Sequence, residues 1–206
     1  DTGEKLWSRA FESTHHHIHA FSSFASSTPA VDEELVYVAW SSPESAVLKA
    51  FTHDGEPVWD KDLGPWHGQH GFGTSPVLYD DLVFVANFQE LHDDERGTDA
   101  VPPPSFLLAF DRKTGDERWR IPRIKDNLAY AAPAIFQPED GKAQLVNAST
   151  GSGMYAVDPF TGEELWSIPV FDKRAVSSPL VKGDLIFGST GSGGGGNYLA
   201  AVRSNG

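Results

Sequence analysis

Residues 109–119 read AFDRKTGDERW, and residues 156–166 read AVDPFTGEELW. In both stretches a small residue is followed by Asp, a Thr-Gly turn, an acidic residue and Trp. A shorter copy, AFTHDGEPVW, spans residues 50–59. The chain begins inside another copy (DTGEKLW, residues 1–7) and stops inside a fifth (AVRSNG, residues 201–206). A recurrence of this length is the sequence signature of a repeat architecture.

Every repeat shows the same order of strand signals. The turn glycines are Gly3, Gly55, Gly115, Gly162 and Gly206, which makes the units 52, 60, 47 and 44 residues long. Each unit contains an element that follows a proline, two runs of about five β-branched and aromatic residues, and a strand that ends in Trp or at the chain end. No segment shows helical periodicity. Four short antiparallel strands at this spacing predict the blades of an all-β propeller.

The predicted organisation is a single β-propeller segment over residues 1–206. It comprises an outer strand at about residues 4–10 and blades at about residues 26–62, 73–121, 131–170 and 176–202. The last blade holds three strands and lacks an outer strand of the kind with which the chain begins. Either the two ends close a four-bladed ring, or the chain is an arc of a larger ring. An open arc would expose strand edges that favour self-association.

Composition excludes several classes of partner and chemistry. The 16 basic and 29 acidic residues give a formal net charge of −13, so nucleic acid and anionic membrane surfaces would repel the chain. No stretch approaches the roughly 18 apolar residues that a membrane helix requires. No signal peptide is recognised within these residues. The chain has no cysteine, which removes disulfides, thiolate metal sites and cysteine nucleophiles together.

The pattern Ala-x-Asp-x-x-Thr-Gly-Asp/Glu-x-x-Trp resembles the tryptophan-docking motif of the pyrroloquinoline-quinone (PQQ) repeat superfamily. That superfamily includes quinoprotein alcohol dehydrogenases and the outer-membrane assembly lipoprotein of the BamB type. The resemblance covers essentially the whole chain. The strings QHGFGTSP (residues 69–76) and FDRKTG (residues 110–115) look most like envelope propellers of planctomycete type. The resemblance implies a ring of seven or eight blades, of which this chain is an arc, and a periplasmic or cell-envelope location.

The repeated motif also predicts how neighbouring blades dock. A glycine at the turn tolerates a positive φ and leaves room beside a flat ring. Each Trp is therefore expected to lie on the neighbouring blade and bury its indole. The Asp and Thr side chains are expected to bind backbone amides of the turn. The residues assigned to this docking are Gly3, Trp7, Gly55, Trp59, Asp111, Thr114, Gly115, Trp119, Asp158, Thr161, Gly162 and Trp166.

Two loops that precede inner strands are the main candidates for a ligand site, because such loops converge on the axis of a propeller. A WHGQHGFG loop combines two imidazoles, an amide and flexible glycines, so His67, Gln69 and His70 are candidate ligand-binding residues. A loop held by its own hydrogen bonds is the alternative. Arg174, in the equivalent loop of the last unit, is expected to bind an anion or to pair with Asp172 or a neighbouring blade.

A third polar loop carries the sequence HHHIH at residues 15–19. If this loop is extended, His15, His17 and His19 share one face, which suits a metal ion. No carboxylate is fixed in register beside it, so a solvated loop is the alternative.

The resemblance leaves the function open between classes. The quinoprotein enzymes use adjacent cysteines, a calcium ion held by carboxylate and amide side chains, an Asp base and an aromatic floor beneath the quinone. Because this chain has no cysteine and no such set at its converging loops, we expect a non-catalytic binding or scaffolding module, with a protein or peptide partner and no cofactor. One alternative is part of a PQQ- and calcium-dependent oxidoreductase whose catalytic residues lie outside this segment. The other is a metal- or anion-binding propeller.

Overall fold

The computed structural model describes residues 2–15, 18–24, 26–68, 70–91, 95, 97–123, 129–191 and 196–203. Within them the chain forms fifteen strands in four antiparallel sheets and no helix, so none of these residues belongs to a helix that could cross a membrane. The strands of each sheet follow one another in chain order. This confirms the predicted all-β propeller class, in the form of an arc of blades.

We number the sheets as blades 1 to 4. Blade 1 holds β1 (Ala30–Val31), β2 (Leu35–Ser41), β3 (Ala46–Thr52) and β4 (Pro57–Gly64). Blade 2 holds β5 (Val77–Tyr79), β6 (Leu82–Asn87), β7 (Ser105–Asp111) and β8 (Glu117–Arg123). Blade 3 holds β9 (Ala134–Phe136), β10 (Gln144–Ser149), β11 (Gly153–Val157) and β12 (Glu164–Ile168). Blade 4 holds β13 (Leu180–Lys182), β14 (Leu185–Thr190) and β15 (Tyr198–Arg203).

The hydrophobic core lies between the sheets. One apolar cluster joins blades 1 to 3, and a second joins blades 3 and 4. Strand β6 is buried at all six of its positions, because blade 2 has a neighbour on both faces. A continuous apolar run of this length is typical of a strand that is buried on both sides.

Blades 1 and 2 each place their Trp on the next blade, whereas Trp166 of blade 3 donates from its Nε1 to Gln144 Oε1 of its own blade at 2.8 Å. The Trp59 indole packs against Gly115, where an added Cβ would lie only 2.7 Å from Trp59 Cδ2. The Trp59 Nε1 donates to the Arg112 carbonyl at 3.0 Å. The Trp119 ring approaches Gly162 in the same way, at 3.0 Å. Both glycines have positive φ, 73° and 75°. A register shift follows the small residue of the motif in each complete blade, and such a bulge re-aims the strand that carries the Trp.

The turns that receive Trp59 and Trp119 are each organised by an aspartate. Asp111 accepts from the backbone amides of Lys113 and Thr114, both at 3.0 Å. Asp158 accepts from the amides of Phe160 and Thr161 at 2.8 and 3.1 Å. These bonds hold the glycine that follows in its left-handed conformation.

The N-terminal segment differs from the expectation of a strand at residues 4–10. The described residues 2–15 form no strand. Trp7 nevertheless lies on Gly55, 2.6 Å from a Cβ placed there, and its Nε1 donates to the His53 carbonyl at 2.7 Å. The physical reason is that an outer strand pairs with the third strand of its own blade, and within the described residues no such strand lies beside this segment.

The two ends of the described chain do not pair with each other. Strand β15 pairs with β14 on one edge, and no described strand pairs with its other edge. The described residues therefore form an open arc of three complete blades and one three-stranded blade.

Candidate functional site

All four loops that lead into the blades meet at one depression. It has a volume of about 660 Å³ and receives residues from the loop before each blade. We call it the axial depression; its lining residues are Ala20, Phe21, Ser22, Ser23, Ser26, His70, Gly73, Tyr130 and Val176. The convergence follows from the meander, since in every blade the first strand is entered from the same end.

His70 forms part of the wall of the depression. Its Nδ1 lies 3.0 Å from the Ser22 hydroxyl oxygen, a hydrogen bond between the loops that precede blades 2 and 1. The His70 ring lies 5.1 Å from the ring of His19 and meets the Tyr130 ring edge-on at 5.9 Å, both between centroids. His70 therefore joins three loops rather than projecting alone.

Tyr130 lies beside His70, in the loop before blade 3. Its hydroxyl is buried and has no hydrogen-bond partner among the described residues. Burial, and after it the negative charge of Glu90, raises the pKa of the phenol well above its usual value, so the hydroxyl stays protonated. Gly73 makes room for the ring, because a Cβ there would lie 2.7 Å from Tyr130 Cδ1.

A buried ion pair lies next to Tyr130. Glu90 follows β6 of blade 2, and its side chain is completely buried, while the Arg174 side chain before blade 4 is 24% exposed. The Arg174 guanidinium donates to Glu90 Oε1 and lies 5.7 Å from the centre of the Tyr130 ring. A buried carboxylate is tolerated when a cation and hydrogen bonds compensate its lost hydration. The Arg174 charge is therefore already matched by Glu90 and not by Asp172.

His67 serves the loop that carries Glu90. Its Nδ1 lies 2.6 Å from the Glu90 carbonyl, and its Nε2 lies 3.4 Å from a Glu95 carboxylate oxygen. Its backbone amide donates to Gln89 Oε1 at 2.6 Å. These bonds fix the segment after β6, and His67 is not among the residues that line the depression. Gln69, the third candidate of this loop, lies outside the described residues.

Of the three histidines expected to share one face, the two that the structure describes, His15 and His19, do not lie on a strand. The described residues on both sides of positions 16 and 17 form none, and His17 itself lies outside the described residues. His15 meets Phe24 edge-on at 6.1 Å, whereas His19 lies beside His70. Alternation along a strand therefore cannot place His15 and His19 on a common face.

The described residues do not fit the quinone and calcium chemistry of the quinoprotein enzymes. Among them, no group of three or more His, Asp or Glu side chains could hold a metal ion. The chain also lacks the cysteines that those enzymes place at the site. The charged groups nearest the depression are instead paired with one another.

The sequence pattern names His70 and Arg174 as candidates but not the residues that connect them in the structure. These are Ser22, Glu90 and Tyr130, which come from three further loops. Glu90 had a readable signal, since it is a carboxylate that lies three residues after the end of the apolar strand β6. Tyr130 had no such signal, because an aromatic residue before a blade can belong to the hydrophobic core as readily as to a binding site.

Comparison with known proteins gives one family and several relatives. The family described as outer membrane protein assembly factor BamB matches residues 1–205. A tetrathionate hydrolase of Acidithiobacillus ferrooxidans is 24% identical over 173 residues, which are 78% of this chain and 31% of that protein. The chain therefore spans about a third of this curated relative.

Solved structures share the architecture. The crystal structure of BamB from Moraxella catarrhalis aligns with a TM-score of 0.63 and 18% identity, over 98% of this chain and 52% of that one. A quinohemoprotein alcohol dehydrogenase from Pseudomonas putida aligns with a TM-score of 0.51 and 17% identity, over 81% of this chain and 28% of that one. At these identities the likeness concerns the fold.

Proposed function

The chain belongs to the BamB family of PQQ-repeat propellers, and from this premise we propose that it is a non-catalytic binding module of the bacterial envelope that holds an extended protein segment in the axial depression. The observation that carries the proposal is the composition of that depression. Exposed apolar side chains, serine hydroxyls and an imidazole surround it, and the adjacent charges are paired with each other.

The apolar part of the surface consists of Phe21 and Val176. Phe21 is 95% exposed and Val176 is 53% exposed, although both line a concave surface. Large apolar side chains held in water at a concave site are typical of contacts with a partner. They come from the loops before blades 1 and 4, so a bound segment would bridge the two ends of the arc.

The polar part supplies groups that suit a peptide backbone. Ser22 and His70 line the depression with a hydroxyl and an imidazole, groups that donate and accept hydrogen bonds. Main-chain groups of an extended peptide need such partners when they leave water. The paired charges of Glu90 and Arg174 favour a segment without strong charge.

The family description supports a partner class. A factor in outer membrane protein assembly meets chains whose strands alternate apolar and polar residues with aromatic girdles. We propose that the partner is an extended segment of this kind. The envelope location rests on the same family membership.

The test is peptide binding by fluorescence anisotropy. A labelled peptide of about ten residues alternates aromatic or aliphatic residues with Ser and Thr, the pattern of a transmembrane β-strand. A peptide of equal composition in scrambled order is the comparison. We expect the alternating peptide to bind more tightly, and Phe21→Ser and Val176→Ser to weaken it about tenfold.

Val58→Ser is the matched control, because Val58 is 45% exposed on the outer strand β4, outside the depression. Equal binding of both peptides, or an equal loss with Val58→Ser and Val176→Ser, would contradict the proposal.

The second candidate is part of a PQQ-dependent oxidoreductase with its catalytic residues elsewhere in a longer protein. The similarity in fold to a quinohemoprotein alcohol dehydrogenase supports this candidate. The described residues include no group of His, Asp or Glu side chains that could hold the calcium ion, which argues against a catalytic role for them. Titration of the full-length protein with PQQ and calcium, followed by absorbance and dye-coupled alcohol oxidation, distinguishes the two. Quinone binding with turnover would replace the first proposal.

A further inference from the structure

Arg174 has the features of an anion site that is already filled from within the chain. Its guanidinium donates to Glu90 Oε1. The Glu90 side chain is completely buried, whereas that of Arg174 is 24% exposed. A guanidinium carries its N–H donors in a planar fork that matches a carboxylate. Glu90 therefore provides the carboxylate that a ligand would otherwise bring to Arg174.

The loop that carries Arg174 is held by main-chain contacts. The Arg174 carbonyl accepts from the Gly191 amide at 3.0 Å and from the Thr190 hydroxyl at 3.1 Å. The Ala175 carbonyl accepts from the Tyr130 amide at 3.2 Å, and Ala175 is fully buried. None of these bonds involves the carboxylate partner of the guanidinium. We therefore expect the guanidinium to stay in place when that carboxylate is removed.

The loop that carries Glu90 is held separately. The Glu90 amide donates to the His67 carbonyl at 2.8 Å, and His67 Nδ1 lies 2.6 Å from the Glu90 carbonyl oxygen. The preceding amide, that of Gln89, donates to the Ser105 hydroxyl at 2.8 Å. Either side chain of the ion pair can therefore be changed without removing these contacts of the main chain.

Both charges act on a wall of the axial depression. The Arg174 guanidinium lies 5.7 Å from the centre of the Tyr130 ring, and Tyr130 lines the depression. After the larger effect of burial, Glu90 raises the pKa of Tyr130, and Arg174 lowers it. The Tyr130 hydroxyl stays protonated and makes no hydrogen bond among the described residues, so it remains a donor beside the guanidinium. A change in the ion pair therefore changes the charge that a bound segment meets at this wall.

An acidic residue of a bound segment finds no available cation at this wall. The described residues that line the depression include no Lys or Arg. A carboxylate that leaves water without a cation loses its hydration uncompensated. Arg174 compensates such a carboxylate only if it releases Glu90, which then becomes a buried carboxylate without its cation. Both routes disfavour an acidic segment.

We propose that Arg174 and Tyr130 form a latent carboxylate site, and that Glu90 determines the charge specificity of the axial depression by occupying this site. The segments accepted are those without Asp or Glu where they pass Tyr130. Removal of the Glu90 carboxylate converts the same wall into a site for an external carboxylate. The part that concerns peptide segments rests on the proposed function, whereas the carboxylate site itself does not.

The first test uses acetate as the probe and needs no peptide. Glu90→Ala removes the carboxylate and leaves space beside Arg174. Thermal unfolding is followed at pH 7 over a series of acetate concentrations, with the ionic strength held constant by sodium chloride. We expect acetate to raise the Tm of Glu90→Ala by about 2–4 °C at several times its dissociation constant. Wild type and the double variant Glu90→Ala/Arg174→Gln should not respond.

Glu95→Ala is the matched control for the acetate series. Glu95 lies in the same loop, and its carboxylate oxygen lies 3.4 Å from His67 Nε2 rather than on Arg174. If Glu90→Ala is unfolded without acetate, recovery of folded protein on adding acetate gives the same support. An equal response of Glu95→Ala, or no response of folded Glu90→Ala, overturns the carboxylate site.

The second test measures charge specificity by fluorescence anisotropy with Glu90→Gln, which keeps the shape of the side chain and removes its charge. The probes are the labelled alternating peptide and a version with Asp in place of one central Ser. We expect wild type to bind the Asp version about tenfold more weakly, and Glu90→Gln to bind it at least as tightly as the neutral peptide. Glu95→Gln should keep the wild-type preference.

The two tests separate the two proposals. If wild type binds neither peptide, the proposed peptide binding fails, and the acetate series still decides the carboxylate site. If wild type binds the neutral peptide and Glu90→Gln keeps the wild-type preference, the assignment of charge specificity to Glu90 is overturned.

Discussion

The interface between blades 3 and 4 and the outer face of blade 4 present equivalent positions to very different surroundings. At the interface, Met154 is fully buried and lies against Gly188, where a Cβ would be 2.9 Å from the Met154 sulfur. On the outer face, Leu199 occupies the corresponding strand position and is 67% exposed. In both blades the second strand pairs with the third in the same register. The comparison shows that a propeller blade is stabilised chiefly by its neighbours, because a single sheet cannot bury either of its faces.

The largest effect is expected from shortening equivalent side chains on the two faces. Met154→Ala should lower the free energy of unfolding by about 2–5 kcal/mol, because it leaves a cavity between two packed sheets. Leu199→Ala should change it by less than about 0.5 kcal/mol in the single chain. Urea unfolding followed by tryptophan fluorescence measures both, at a protein concentration where the chain is monomeric. Equal losses would show that the outer face of blade 4 is covered within one chain.

A smaller effect is expected at the docking glycines. Gly115 and Gly3 both have positive φ, 73° and 70°, but only Gly115 lies against a ring, with Trp59 Cδ2 2.7 Å from a Cβ placed there. Gly115→Ala adds a clash to the backbone strain, so we expect a loss of about 2–3 kcal/mol. Gly3→Ala, with nothing within 4 Å, should cost about 1 kcal/mol or less.

Thermal unfolding of the two glycine variants gives this difference directly. A Gly3→Ala variant as unstable as Gly115→Ala would mean that Gly3 is also packed against a ring, and the comparison between complete and incomplete interfaces would fail at that end.

The smallest effect is a pH dependence in a complete docking turn. The amide of Thr114, and after it that of Lys113, holds the pKa of Asp111 below its usual value, against a smaller opposing effect of burial. A carboxyl whose pKa is lowered on folding adds stability above its unfolded pKa and loses it as the pH falls through the folded pKa. We therefore expect wild type to lose less than about 1 kcal/mol below about pH 4 through this group.

Asp111→Asn isolates this contribution, because an amide oxygen still accepts from the turn but does not titrate. The difference in unfolding free energy between wild type and Asp111→Asn should shrink as the pH falls from about 6 to about 2. Blade 4 has Arg203 at the corresponding position, so this group has no equivalent there. A difference that is constant over this pH range would contradict the assignment.

The repeat was readable in the sequence because its residues act locally. Asp111 and Asp158 organise turns only five residues long, and Trp59 and Trp119 each follow four residues after the turn glycine or its equivalent. The candidate site was readable only in part. His70 and Arg174 can be recognised in the sequence as polar residues in a glycine-rich and a charged loop. Their neighbours Glu90 and Tyr130 lie in other loops, far from them along the chain. Their grouping depends on how sharply the arc curves, which no local pattern encodes.

The sequence by itself determined the blades, their order and the motif that docks one on the next, because hydrogen-bonded strands and turns follow from residues close in the chain. Tertiary structure alone decided which charges are paired and which apolar surfaces remain in water. Arg174, before blade 4, is matched by Glu90, after β6 of blade 2, because loops of different blades meet there, and Leu199 stays exposed because within the described chain no fifth blade packs on it. Burial and charge pairing depend on the neighbours that each residue acquires in space, and for this chain those neighbours determine where a partner can bind.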